Sequence, residues 1–256
     1  DSPPPGDLWL AANVGEEGLG DLRGIRAVID RLGGTVAGTI VLEGMALGRI
    51  YHAGIGVRRY RISAEAEGGH SWLNFGRPSA IHRLARVAAA LTDLDVPRKP
   101  RTTYNIGVIR GGTSINTIAR TAELELDLRS EAPAALAVLS QQVETLVARH
   151  QTSEAPLRCD IIGDRPSGSI PQTHALVQAA IQGLARQGLS ATLDTGSTDA
   201  NLPLSRNLPC VCIGLTTGAH AHRPDEYIDT APLDKGLAAF LETVRLAFDW
   251  AADGVP

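Results

Sequence analysis

The hydrophobic and polar positions of this 256-residue chain follow three successive patterns. Up to about Tyr51, two continuous apolar runs at residues 8–14 and 38–43 flank a helical pattern at residues 19–30. Continuous apolar strands that alternate with helices are typical of a parallel sheet covered on both faces. We therefore predict an α/β arrangement with buried parallel strands at both runs.

The middle of the chain, residues 56–164, alternates polar and apolar positions with a period of two, as half-exposed strands do. Amphipathic helical patterns interrupt this alternation twice. The order β-α-β-β-α-β predicts a ferredoxin-like domain, in which two helices cover one face of a four-stranded antiparallel sheet. The segments are strands at residues 58–66, 102–109, 121–129 and 157–162, and helices at residues 78–91 and 133–150.

From residue 165 onward the α/β pattern returns. We therefore predict one α/β domain formed by residues 1–55 and 165–256, interrupted by an inserted domain of residues 56–164. The segments of this last part are helices at residues 174–187, 199–206 and 233–250, and strands at residues 191–193 and 210–215.

Composition narrows the functional class. The net charge of −4 gives no electrostatic reason to expect nucleic acid or an acidic membrane as a partner. No apolar stretch approaches the roughly 18 residues of a membrane span. The odd number of cysteines, three, argues against a disulfide framework, and Cys210 and Cys212 alternate on a buried strand as small hydrophobic residues do. We expect a cytoplasmic protein.

Two adjacent acids, Glu16 and Glu17, follow the apolar run at residues 8–14. Ligands of open α/β sheets bind where strands end. The two carboxylates repel each other, and the first basic residue of the chain is Arg23. A metal cation would relieve the repulsion, with one acid as ligand and the other handling a proton. The alternative is an ordinary helix N-terminus, where acids favour the helix dipole.

Two further candidate ligands also follow strands. Glu43 ends the second apolar run, and His222 lies in a loop after residues 210–215. Histidine is the commonest neutral metal ligand, although by itself this loop fits a solvated polar surface slightly better. If the loop is extended, His220 faces the opposite way. In a parallel sheet Glu17, Glu43 and His222 share one edge, which makes them a plausible zinc ligand set.

Three other loops carry candidate residues with open alternatives. His70 follows two glycines after the first strand of the inserted domain, and by itself resembles a surface histidine. Residues 111–116, Gly-Gly-Thr-Ser-Ile-Asn, fit a simple hairpin connection. In residues 194–201, either Ser197 or Thr198 caps the following helix, or the loop contacts a substrate.

Together, and in this order around an inserted domain, these motifs resemble the family of co-catalytic zinc peptidases and deacylases. That family includes aminoacylase, acetylornithine deacetylase, glutamate carboxypeptidase and tripeptidase (peptidase T). The resemblance implies a three-layer α/β catalytic domain, incomplete at its N-terminus, with an inserted ferredoxin-like lid that forms a homodimer. The matching segments, which span almost the whole chain, are residues 13–18, 43–44, 68–71, 76–81, 111–116, 127–129, 197–201 and 221–227.

The resemblance also implies roles for the α/β domain residues. Glu16 corresponds to the general base that takes a proton from metal-bound water. Glu17 corresponds to a ligand of one zinc ion and Glu43 to the acidic ligand of the other. His222 corresponds to the C-terminal histidine ligand.

The remaining roles implied by the resemblance concern the substrate. His70 corresponds to a lid histidine that reaches the active site of a neighbouring subunit and stabilises the tetrahedral intermediate. Asn116 and Arg129 resemble lid residues that hold the carboxylate or backbone of the substrate. Ser197 and Asp199 fall in the loop that matches substrate contacts.

One part of the family pattern is missing. The family has a His-x-Asp motif and a later metal-bridging Asp ahead of the acid pair, whereas only Asp1 and Asp7 precede Glu16 here. With the proline-rich connector at residues 1–6, this suggests the C-terminal portion of a longer chain, the alternative being a vestigial homologue. By itself the chain is expected to be inactive and to hold one zinc weakly.

We therefore expect a complete protein that binds two zinc ions per subunit, or cobalt or manganese in their place. It would hydrolyse amide bonds of short peptides or N-acyl amino acids as an exopeptidase-like enzyme. The alternative is a catalytically incompetent dimerisation or regulatory module. A Rossmann-type nucleotide site is set aside because no Gly-x-Gly-x-x-Gly follows a strand.

Overall fold

The computed structural model describes residues 6–252, and the contacts within it divide the chain into two compact units. The larger unit comprises the chain up to Ile55 and again from Pro166, and the inserted unit is Gly56–Arg165. The predicted proline-rich connector lies outside the described residues except for Gly6.

The elements follow one another along the chain as α1 (Arg23–Leu32), β1 (Thr39–Glu43), β2 (Arg49–Gly54), β3 (Gly56–Glu65), β4 (Gly69–His70), α2 (Ala80–Thr92), β5 (Thr102–Gly111), β6 (Thr117–Ile118), β7 (Thr121–Ser130), α3 (Pro133–Arg149), β8 (Leu157–Arg165), β9 (Gly168–Ser169), α4 (Ala175–Arg186), β10 (Thr192–Gly196), α5 (Asn201–Ser205), β11 (Cys210–Gly214), β12 (Thr217–Ala219), β13 (Tyr227–Asp229) and α6 (Leu233–Ala252). A single 3-10 turn, Gly18–Gly20, precedes α1. None of the helices in the described part combines the length and apolar character of a membrane span.

The inserted unit has the predicted ferredoxin-like topology. Its antiparallel sheet has the strand order β5-β7-β3-β8, and α2 and α3 cover one face. Strand β7 shows the physical origin of the alternating apolar and polar pattern. Leu124 and Leu126 are buried, and they belong to the same core cluster as Leu84 and Val87 of α2. The alternate residues of β7 face away from this core.

The other face of this sheet is covered by charged side chains that pair across strands. Arg59 of β3 lies 2.9 Å from Asp127 of β7, and Arg61 lies 2.9 Å from Glu125. Such partly exposed pairs each add only about 0.2–1 kcal/mol, but they keep like charges from meeting on the strand face.

The larger unit contains a mixed sheet, which corrects the prediction of a purely parallel one. Strand β1 runs parallel to β11, and β11 runs antiparallel to β2, which in turn runs parallel to β10. The chain reverses between β1 and β2 and crosses over β11. Gly214 permits this close crossing, because a Cβ there would overlap the backbone of Met45 and Ala46.

Helices complete the larger unit. Leu176 and Val177 of α4 and Ala239 of α6 share a core cluster with the fully buried strand β11. A smaller cluster joins Ile25 and Ile29 of α1 to Leu202 of α5.

The predicted buried strand at residues 8–14 is wrong. This segment is neither helix nor strand, and Leu8, Trp9, Leu10 and Val14 are 55%, 61%, 82% and 68% exposed. Apolar sequence supplies the tendency to form a strand, but the backbone also needs a neighbouring strand to bond with.

The helix predicted at residues 19–30 begins later, at Arg23. Asp21 and Leu22 have left-handed backbones, with φ of 52° and 62°, and this conformation cannot continue into a right-handed helix.

A buried hydroxyl gives a test of the inserted unit. Tyr60 is almost fully buried and donates a hydrogen bond of 2.6 Å to the Glu144 carboxylate, and burial with this bond raises the pKa of Tyr60 to about 12. We expect Tyr60→Phe to lower the free energy of unfolding by about 2 kcal/mol, the usual size for a bond to a charged group. Urea unfolding followed by circular dichroism measures it.

The matched control is Tyr104→Phe, which removes a hydroxyl bonded at an exposed position to the Thr92 carbonyl oxygen. It should cost less than about 1 kcal/mol. Equal losses for the two variants would contradict the assigned importance of the Tyr60–Glu144 bond.

Candidate functional site

Four carboxylates from three segments of the larger unit lie close enough to interact electrostatically. Glu43 is the last residue of β1, beside Gly214 at the end of β11. Partial burial raises the pKa of the Glu43 carboxyl, and the negative charges of Glu16, Glu17 and Asp199 raise it further. The end of β1 is therefore a region of concentrated negative charge.

His222 approaches this region. Its Nδ1 lies 3.8 Å from an Oε atom of Glu17, and both side chains are largely exposed. The backbone N–H of His222 donates to the Glu226 carboxylate at 2.8 Å, which ties the two ends of the loop together. The structure thus brings His222 next to Glu17, and Glu17 within electrostatic range of Glu43.

The loop of His222 is a turn and is not extended, which corrects the assumption behind its predicted alternation. His220 and His222 both have left-handed backbones, with φ of 64° and 65°. Histidine adopts this conformation more readily than most residues, although at some cost in energy. His220 lies 2.8 Å from the Asp225 carboxylate and packs edge-on against Tyr227, whereas the neighbour of His222 is Glu17.

Asp199 connects the acid pair to the loop before α5. The side-chain N–H of Asn13 donates to the Asp199 carboxylate at 2.7 Å, and Asp199 is buried. Asn13 stands three residues ahead of Glu16, so this bond holds the segment that carries both acids. Ser197, in the same loop, is half-buried.

The prediction that Ser197 or Thr198 caps α5 is wrong, because Ala200 occupies the N-cap position. A fully buried amide organises the loop instead. The side-chain oxygen of Asn201 accepts from the Thr198 N–H at 3.0 Å, and its NH₂ group donates to the carbonyl oxygens of Ile55 and Pro166 at 2.7 and 2.9 Å. The Thr198 hydroxyl adds a local bond from the Ala200 N–H.

Cys212 lies on β11, two residues before the Gly214 that pairs with Glu43, and is fully buried. Burial, together with the nearby charge of Glu43, raises the pKa of this thiol to about 12. The thiol therefore stays protonated, and Cys212 behaves as the small hydrophobic residue that the sequence predicts.

The donor set meets part of what the expected metal requires. Glu16, Glu17, Glu43 and His222 offer the oxygen and nitrogen donors that suit a divalent cation, and their charge favours one. Within residues 6–252, however, no three His, Cys, Asp or Glu side chains are arranged to hold a metal ion. The acids and His222 therefore fit a metal in charge and chemistry, but form an incomplete ligand set.

In the inserted unit, the structure brings His70 and Asn116 together. Strands β4 and β6 pair so that His70 faces Thr117, and the Ser71 N–H donates to the Asn116 carbonyl oxygen at 2.9 Å. The Asn116 side chain accepts from the Ser114 hydroxyl at 2.7 Å.

Arg129 is separate from this pair. Strand β7 begins at Thr121, three residues after the end of β6, and Arg129 lies eight residues further on, roughly 26 Å along the strand. Its Nε donates to Asp127 at 2.7 Å. Asp127 also accepts from Arg59, so Arg129 belongs to the ion-paired face of the sheet.

Two asparagines that fix the loop before α5 by hydrogen bonds, Asn13 and Asn201, were not predicted from the sequence. Asn13 interrupts an apolar run, and Asn201 begins the sequence Asn-Leu-Pro-Leu, so each is a polar amide among apolar neighbours. Polar amides that are buried, as Asn201 is, or partly buried, as Asn13 is, usually have hydrogen-bond partners, and this is the signal that marks both positions.

Comparison with known proteins supports this description. Residues 55–154 match the family model of the M20 peptidase dimerisation domain. No curated protein matches the sequence significantly. Among solved structures, a tripeptidase from Staphylococcus aureus has 20% sequence identity and a TM-score of 0.74, covering 93% of this chain and 63% of its own.

Two further structures are similar. Aminopeptidase PepT from Bacillus cereus has 22% identity and a TM-score of 0.69, covering 91% of this chain and 62% of its own. The YXEP protein from Bacillus subtilis, described as a dinuclear metal binding peptidase of the M20 family, has 20% identity and a TM-score of 0.60, covering 90% and 62%. The chain thus has the fold of M20 peptidases and spans about three fifths of the length of these structures.

The acid cluster predicts a pH-dependent stability. Because the pKa of Glu43 is raised above its usual 4.5, the folded chain keeps this proton to higher pH than the unfolded chain does. Stability is therefore lost as pH rises through that interval, and ionised Glu43 opposes folding at neutral pH. We expect Glu43→Gln to raise the urea midpoint at about pH 8, with the gain shrinking towards about pH 4.

The control is Glu154→Gln, at an exposed position in the inserted unit, which should leave the midpoint unchanged at both pH values. A Glu43→Gln midpoint at or below that of the wild type at about pH 8 would contradict the proposed charge repulsion.

Proposed function

We propose that this chain forms part of a zinc-dependent hydrolase that cleaves amide bonds of short peptides or N-acyl amino acids. The observation that carries this proposal is the grouping of acids at Glu43, in the fold of M20 peptidases. Glu16 and Glu17 lie within electrostatic range of Glu43, and His222 lies beside Glu17. The similarity to a tripeptidase and an aminopeptidase supports a peptide substrate. We also propose a cytoplasmic location.

In this proposal Glu17, Glu43 and His222 are metal ligands of the complete protein, which supplies the remaining ligands from residues beyond this chain. Zinc suits this mixture of carboxylate and imidazole, and cobalt or manganese could replace it. When bound, the metal lowers the pKa of a coordinated water and polarises the scissile carbonyl group.

We assign Glu16 the role of general base. Its carboxylate lies within electrostatic range of Glu43, and its backbone follows the segment held by the Asn13–Asp199 bond. A carboxylate placed beside the ligands can accept a proton from water and return it to the leaving amine.

The other residues are assigned to the substrate. His70 would donate to the developing oxyanion, with the inserted unit serving as lid and homodimer contact, in line with its match to the dimerisation domain. Asn116 and Arg129 would hold the carboxylate or backbone of the substrate. Ser197 and Asp199 would contact it from the loop before α5.

A second function is a non-catalytic dimerisation or regulatory module. The incomplete ligand set within residues 6–252 favours this alternative. The two functions differ in metal content, which therefore decides between them.

We expect the full-length protein to bind about two zinc equivalents per subunit, as two-metal hydrolases do. His222→Ala should lower the zinc content, because it removes a nitrogen ligand, whereas His82→Ala, at an exposed position on α2, should not. Metal analysis after dialysis measures both. A folded full-length protein that holds none of zinc, cobalt or manganese would overturn the hydrolase and support the module.

We expect Glu16→Gln in the full-length protein to lower kcat by about a hundred- to ten-thousandfold while the zinc content stays unchanged. The amide side chain cannot accept the proton. Steady-state hydrolysis of short peptides and N-acyl amino acids measures kcat, with Glu154→Gln as control. Retained turnover in Glu16→Gln would rule this residue out as the base.

A further inference from the structure

The imidazole of His70 is held by the turn that follows it. The backbone N–H groups of Trp72 and Leu73 both donate to His70 Nδ1, at 3.2 and 3.4 Å. A ring nitrogen that accepts hydrogen bonds carries no hydrogen, so the neutral ring must carry its hydrogen on Nε2. The turn therefore selects one of the two tautomers of His70.

Asn74 closes the same turn from the other side. Its Oδ1 accepts from the His70 N–H at 2.9 Å, and its own N–H donates to the His70 carbonyl oxygen at 2.9 Å. Both polar backbone groups of His70 are thus bonded to one residue. Gly69 leaves the space for this, because a Cβ there would lie 2.7 Å from Asn74 Oδ1.

Hydrogen bonds, and not burial, keep this turn in place. His70 is exposed, and the side chains of Trp72 and Phe75 are almost fully exposed. The Ser71–Asn116 bond and the β4–β6 pairing attach the turn to the neighbouring loop. The orientation of the His70 ring therefore depends on a few named bonds that substitution can remove.

We propose that Asn74 is a positioning residue that, with the amides of Trp72 and Leu73, holds His70 as the tautomer with hydrogen on Nε2. In that tautomer Nε2 is the ring's single N–H donor, and the nitrogen anchored by the turn is the acceptor. The role in catalysis rests on the proposed function, since the donor would face the oxyanion of an amide substrate. The tautomer itself is a property of the inserted unit alone.

The tautomer can be measured directly. Long-range ¹H–¹⁵N correlation spectra of the uniformly labelled 256-residue chain distinguish the two neutral forms of each imidazole, and exposed His82 serves as an internal reference. We expect the neutral ring of His70 to be entirely in the Nε2–H form. Asn74→Ala should give a mixture of forms, and Asn74→Asp, which keeps an acceptor oxygen, should restore the single form. A mixture in the wild type, or no change in Asn74→Ala, would overturn the positioning role.

Activity of the full-length protein tests the catalytic consequence. We expect Asn74→Ala to lower kcat about ten- to a hundredfold, with KM and zinc content unchanged. The reason is that the Nε2–H group of His70 would bond the oxyanion of the transition state, and not the substrate before it reacts. In a His70→Ala background the same substitution should have no further effect. Normal thermal unfolding of Asn74→Ala and recovery of kcat in Asn74→Asp exclude a folding defect.

The outcomes separate the two proposals. A mixed tautomer in Asn74→Ala with unchanged kcat in an active enzyme would overturn the role of His70 in catalysis, while the hydrolase assignment stands. A full-length protein that hydrolyses no amide would overturn the proposed function, while the tautomer measurement still decides the role of the turn.

Discussion

The larger unit depends on one buried amide, that of Asn201. Its three hydrogen bonds join the Thr198 backbone to Ile55 and Pro166, the residues at which the chain leaves the unit and re-enters it. Each partner left unsatisfied in a buried place would cost about 1–3 kcal/mol. Through the adjacent Asp199 and its bond to Asn13, the same loop fixes the segment of the acid pair. The loop of residues 198–201 is thus bonded to three distant stretches of sequence, at Ile55 and Pro166 through Asn201 and at Asn13 through Asp199.

Charged side chains are arranged in opposite ways in the two units. On the sheet of the inserted unit, arginines such as Arg59 and Arg61 face carboxylates on the next strand, so opposite charges lie side by side. At the end of β1, by contrast, acids lie within electrostatic range of Glu43, and His222 lies beside one of them, Glu17. Neutralised charge stabilises a surface, whereas concentrated charge of one sign raises the affinity for a counter-ion. This contrast supports the proposal that the metal ligands lie in the larger unit.

The inserted unit could be predicted almost completely because all of its strands find their neighbours within the unit, so the period of two carries the fold. The larger unit could not. Residues 8–14 have the composition of a strand but remain exposed. Strand β2 is not predicted by the pattern, because Arg49, Tyr51 and His52 interrupt its apolar character. The position of Glu43 could be predicted because it ends β1, whereas Glu17 and His222 lie on segments that are neither helix nor strand. The roles of Asn13 and Asn201 could not be predicted because Asp199, Ile55 and Pro166, to which they donate, lie far away in sequence.

The three tryptophans of the chain occupy three different regions. Trp9 lies in the exposed segment ahead of the acid pair, and Trp72 stands on the turn of His70. Trp250 packs edge-on against His174 at the start of α4, with ring centroids 5.2 Å apart. Their intrinsic fluorescence therefore contains three separable signals. Variants that keep a single indole would report, by emission wavelength and quenching, on the acid segment, the histidine turn or the packing of the last helix, without any added label.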